Sequence, residues 1–73
     1  MVKTIVQVEG MMCGHCEAHV NDTVRREFAV KKVTSSHKKG QTVITSEQPL
    51  DTEKLTAAIN ATGYRVLGVQ QEN

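Results

Sequence analysis

The chain carries two cysteines, Cys13 and Cys16, and their spacing makes them the first residues to question for chemistry. In the run Cys13-Gly14-His15-Cys16 the two thiols can converge on one point. Converging thiols either cycle through a disulfide or hold a soft metal ion. Cys13 sits on backbone made pliable by Gly14, whereas Cys16 falls in the first turn of the helix expected to follow. The unpaired amides of that turn, and the positive end of its dipole, favour a thiolate. Two thiolates suit a soft, monovalent ion that accepts low coordination. Structural zinc asks for four ligands, and no second Cys/His pair at suitable spacing occurs.

Other residues near the pair have a bland role and a sharper one. Met11 is expected to plug the space beneath the loop, as adaptable thioether side chains do. Met12 is expected to be an exposed loop residue, with a third soft ligand as its sharper alternative. His15 should point to solvent, where it could tune thiolate charge or meet a partner. His19 reads as a surface helical residue, and His37 belongs to a turn that would have to fold over to reach a metal. Tyr64 can pack its ring while its hydroxyl faces the thiolates.

Composition limits what else the chain can do. With 73 residues there is room for one domain, and a domain of this size buries only about 60% of its unfolded surface. A large internal cavity is therefore not expected. Formal charge is +1, tryptophan is absent, and Phe28 and Tyr64 are the only aromatic residues. Stacking platforms for nucleic acid are missing, and nothing suggests general binding to nucleic acid or anionic membranes. The basic pairs Arg25-Arg26, Lys31-Lys32 and Lys38-Lys39 read as solvated faces. No apolar run approaches the ~20 residues of a membrane span, and no secretory signal is visible. The expected compartment is the cytoplasm, where a close Cys pair more often binds metal or does redox work than forms a structural disulfide.

The elements that must position these residues follow from periodicity. Thr4, Val6 and Val8 alternate along a first strand, residues 4–8. Gly10 to Gly14 form a loop. Cys16, Val20, Val24 and Phe28 then recur every fourth residue, one apolar stripe on a helix over about residues 15–27. Strands are expected over residues 30–36 and 41–46, joined by a turn at His37-Lys38-Lys39-Gly40. Asp51 is a plausible N-cap, with Leu50 and Leu55 as a hydrophobic staple. Leu55, Ala58 and Ile59 form the buried stripe, and Gly63 sits at the left-handed C-terminal cap. A last strand covers residues 64–69, and Gln70 to Asn73 is expected to fray.

The order is βαββαβ, an α+β ferredoxin-like sandwich: a four-stranded antiparallel sheet with two helices on one face. The β1–α1 loop, the β2–β3 hairpin and the α2–β4 junction then share one end. Cys13, Cys16, His37 and Tyr64 are expected along that edge, not necessarily in contact.

Gly10-Met11-Met12-Cys13-Gly14-His15-Cys16 resembles the Gly-Met-x-Cys-x-x-Cys motif of heavy-metal-associated domains, as found in bacterial copper chaperones and copper-transporting P-type ATPases. The resemblance runs from about Val2 to Val69 and includes the Gly63-Tyr64 pair. It implies Cu(I) held by Cys13 and Cys16, with Gly10 and Met11 as loop scaffold and Met12, His15 and Tyr64 nearby. It further implies a cytosolic metallochaperone that passes copper, by thiolate exchange, to a copper-transporting P-type ATPase or a copper-responsive regulator. Met12 departs from the Thr or Ser of many copper-handling members and from the Asp of zinc exporters. Its thioether is compatible with Cu(I). Tyr64 matches the aromatic found near the metal loop in bacterial copper chaperones. Ala29 departs from the Gly that many members place before the second strand.

The domain is thus expected over residues 1–69, with a tail at 70–73, as a monomer; pairing two molecules' four thiolates would give a metal-bridged dimer. Two rival functions remain. One is another soft cargo, Hg²⁺, Zn²⁺ or Cd²⁺. The other is an enzyme, a glutaredoxin-like thiol-disulfide oxidoreductase. Against the enzyme stand the short chain, the absence of proline between the cysteines, and the position of Pro49, the only proline, just ahead of a helix.

Overall fold

The first strand shows how the chain sorts itself. Val2, Thr4, Val6 and Val8 are buried, while Lys3, Gln7 and Glu9 face out, so β1 covers Val2–Glu9 with one face in the core. The computed structural model describes residues 1–12 and 14–72. Its elements are β1, α1 (Gly14–Glu27), β2 (Lys32–Ser36), β3 (Gln41–Ser46), α2 (Thr52–Ala61) and β4 (Arg65–Glu72). The strands form one sheet in the order β2-β3-β1-β4, with every neighbouring pair antiparallel. This is the expected ferredoxin-like arrangement.

The core lies between the helices and the inner face of the sheet. Val6, Val8, Val33 and Ile44 meet Val20 and Val24 of α1 and Leu55 and Ile59 of α2. The apolar stripe of α1 is as anticipated, but its buried face also takes in Thr23, whose hydroxyl donates to the His19 carbonyl at 2.9 Å. Its polarity is thereby satisfied locally. At α2, Asp51 Oδ1 accepts from the amides of Glu53 (3.0 Å) and Lys54 (3.2 Å). Leu50 packs against the core that contains Leu55. Gly63 has φ +100, and its amide donates to the Asn60 carbonyl at 3.0 Å, closing the helix. Capping thus fixes both ends of α2.

Several boundaries differ from expectation, beginning with a first strand that covers Val2–Glu9 instead of residues 4–8. The second strand starts at Lys32 instead of residue 30, although Lys31 already donates its amide to the Thr45 carbonyl. The last strand does not fray at Gln70. Gln70, Gln71 and Glu72 pair with Ile5, Thr4 and Lys3 of β1. Because β1 extends back to Val2, it offers a template that polar residues can pair with through their backbone. The β1–β4 register shifts between Gln7 and Val8, which pair with Gly68 and Val66 and leave Leu67 as the extra residue. No helix of the described residues is long and apolar enough to cross a membrane.

Candidate metal centre

The loop after β1 turns on Gly10, whose φ of +106 few other residues adopt. From there the two methionines part. Met11 is 6% exposed and joins the core, while Met12 is 80% exposed. Cys13 lies outside the described residues. The helix opens at Gly14, so Cys16 occupies its first turn, half-buried and packed against the core cluster. An amide-rich, positive helix end lies close to that sulfur. His15 is exposed.

Tyr64 follows the α2 cap and comes back to the loop. Its ring is half-buried against the core, and a β-carbon on Gly10 would stand 3.4 Å from Tyr64 Cδ1. The His19 ring meets the Tyr64 ring edge to face, with centroids 6.1 Å apart and planes at 81°. His19 is therefore tied to the aromatic beside the loop, which the sequence alone does not suggest.

His37 takes another partner. Glu17 Oε2 accepts from the His37 amide at 2.7 Å and from the ring Nδ1 at 2.6 Å. An ionised carboxylate only accepts, so the ring carries a hydrogen on Nδ1. The amide bond holds the Glu17 carboxyl below the usual glutamate range, helped by the ring hydrogen bond and the nearby charges of His37 and Lys38, against partial desolvation. By sequence, Glu17 is only a polar helical residue. Nothing along the chain points from position 17 to position 37.

The β2–β3 turn also grips the other side of the loop. The Val8 amide donates to the Gly40 carbonyl at 2.7 Å, and Gly40 has φ +64. A β-carbon on Gly40 would lie 3.3 Å from the Val8 carbonyl oxygen, so glycine permits the close approach.

Among the described residues, no group of three or more His, Cys, Asp and Glu side chains is arranged to hold a metal ion. His15, His19, His37 and Glu17 are thus not gathered with Cys16 into a multidentate cage. A cysteine in the first turn of a helix is favoured as a thiolate, a ligand type that soft metal ions take.

Comparison with known proteins places these residues in a wider setting. Residues 5–65 match the Heavy-metal-associated domain family. The chain is 35% identical over 65 residues to the copper chaperone CopZ of Enterococcus hirae, covering 88% of this chain and 94% of that protein. It is 32% identical over 60 residues to the mercuric reductase of Shigella flexneri, covering 82% of this chain but 11% of the reductase. Among solved structures, a CopZ metallochaperone superposes with a TM-score of 0.81 at 27% identity, covering 89% of this chain and 98% of that one.

Proposed function

The chain belongs to the heavy-metal-associated domain family, and on that premise we propose that it is a Cu(I) carrier whose ion bridges Cys13 and Cys16. The observation that supports this most is the likeness to a copper chaperone over nearly the whole length of both proteins. Cys16, in the first turn of α1, supplies one thiolate at the tip of the fold. Cys13 supplies the other from the loop. Met12, 80% exposed, is taken as a neighbour of the site and not as a ligand.

A two-coordinate Cu(I) leaves room for an incoming third thiolate. The ion then passes through a shared three-coordinate state to a partner bearing a similar pair, a copper-transporting P-type ATPase or a copper-responsive regulator. The Cu–S bonds to Cys13 and Cys16 are exchanged for Cu–S bonds to the partner with no change of oxidation state, so the protein acts as a binding protein and not as an enzyme. Its setting is the cytoplasm, where thiols stay reduced.

A second cargo has one observation in its favour, the likeness to a short part of a mercuric reductase. Two thiolates would hold Hg²⁺ as readily. Native mass spectrometry of freshly isolated protein, kept anaerobic, decides between them. One copper per chain, absent from Cys13→Ala and from Cys16→Ala, is the expected result. Mercury or zinc in its place, or copper retained by both single variants, would overturn the proposal.

A further inference from the structure

The metal loop is flanked by two glycines. Gly10 stands at one side with a left-handed φ, and a β-carbon on Gly14 at the other would meet nothing within 4 Å. Both stems of this loop are nevertheless held by one feature, the turn from His37 to Gly40. On the strand side, the Gly40 carbonyl takes the Val8 amide. On the helix side, the His37 amide and ring both reach Glu17 Oε2, one residue beyond Cys16. One helical turn further on, Ser35 Oγ donates to Asn21 Oδ1 at 2.6 Å and also lies 2.9 Å from Thr42 Oγ1. Glu17 and Asn21 are four residues apart, so they share a helix face, and both are tied to the end of the β2–β3 hairpin.

From this double grip we propose that the β2–β3 turn is a brace that sets the span of the metal loop, with Glu17 and His37 as positioning residues for Cys16. The inference rests on the reading of Cys16 as a ligand. A helix turn that carries a ligand must be held to within a fraction of an ångström if the site is to bind without rearranging. The first turn of a helix has amides without intrahelical partners and frays unless side chains hold it. Two charge-assisted hydrogen bonds to one carboxylate oxygen remove that freedom. The brace acts on the helix turn that carries Cys16, so its effect is to slow loss of the ion by keeping Cys16 in place.

The test compares the parent with Glu17→Ala, Glu17→Gln and His37→Ala at a single pH, each loaded with one Cu(I) under anaerobic conditions. A bidentate Cu(I) chelator in excess reads the release rate. Glu17→Ala should speed release by about tenfold, the scale seen when groups supporting a ligand are removed. Glu17→Gln keeps an acceptor for the His37 amide and should recover most of the parent rate. His37→Ala keeps the amide bond and should fall between them. Asp51→Ala, which weakens the fold through the α2 cap, should leave release unchanged. The metal-free chains supply an independent readout, the rate at which iodoacetamide alkylates Cys16, followed by mass spectrometry. Faster alkylation in Glu17→Ala than in Glu17→Gln supports the brace even if the parent were found to carry no copper, which would sink the cargo and not the brace. Release and alkylation both within twofold of the parent in Glu17→Ala and His37→Ala would overturn it. If Glu17→Ala does not fold, His37→Ala measured against Glu17→Gln decides the matter by the same two rates.

Discussion

Tyr64 lies so close to Gly10 that a β-carbon at position 10 would touch its ring at 3.4 Å. That distance is ordinary van der Waals contact, so the ring by itself would not forbid alanine. The backbone does, because Gly10 has φ +106. The left-handed region costs a residue with a β-carbon about 1–2 kcal/mol. Gly10→Ala should therefore lose about that much stability by urea denaturation. The loss should persist in a Tyr64→Ala background, with a coupling between the two below about 0.5 kcal/mol. A penalty that vanishes with the ring would show that crowding, not φ, keeps glycine there.

The Glu17 carboxyl is held below its ordinary range by the His37 amide first, then the His37 ring. A carboxyl whose folded value is depressed adds stability above its unfolded value and loses it as pH falls through the folded one. Thermal midpoints should thus drop more steeply for the parent than for Glu17→Gln as pH falls below the ordinary glutamate range, because the glutamine has no such proton to take up. Equal slopes for the two proteins would mean that the clasp adds no pH-dependent stability.

How much of this can be seen in the chain alone divides by range. The first strand is written in the alternation of Thr4, Val6 and Val8, and the second helix in Asp51, Leu55 and Gly63, because those signals act within one element. The metal motif is legible for the same reason. The continuation of β4 through Gln70, Gln71 and Glu72 is not, since polar side chains carry no period and the pairing is dictated by β1. Glu17 with His37, and His19 with Tyr64, are equally hidden. Each pair is joined by tertiary closure of separate elements, and no local pattern records it.

Thr4 offers a prediction about the core. Its hydroxyl is fully buried and has no hydrogen-bond partner among the described residues. An unsatisfied buried polar group costs about 1–3 kcal/mol, and valine has nearly the same shape. Thr4→Val should raise stability by about 1 kcal/mol, read as a higher urea midpoint with an unchanged slope. A loss of stability instead would show that the hydroxyl finds a partner in solution, such as a buried water.

Met12 tests whether the site needs more than two sulfurs. Its side chain is 80% exposed, so the folded loop packs little against the thioether. Drawing it in to a third coordination position would cost a flexible side chain its rotamer freedom, up to about 2 kcal/mol for methionine. A weak thioether bond to an ion already satisfied by two thiolates gains little against that loss. Met12→Ala should therefore weaken Cu(I) binding by less than roughly threefold, under about 0.7 kcal/mol, in competition with a chelator of known affinity. X-ray absorption of the loaded parent should show two sulfur neighbours and no third. A tenfold or larger loss in Met12→Ala, together with a third sulfur, would instead make Met12 a ligand that the loop recruits only when the ion arrives.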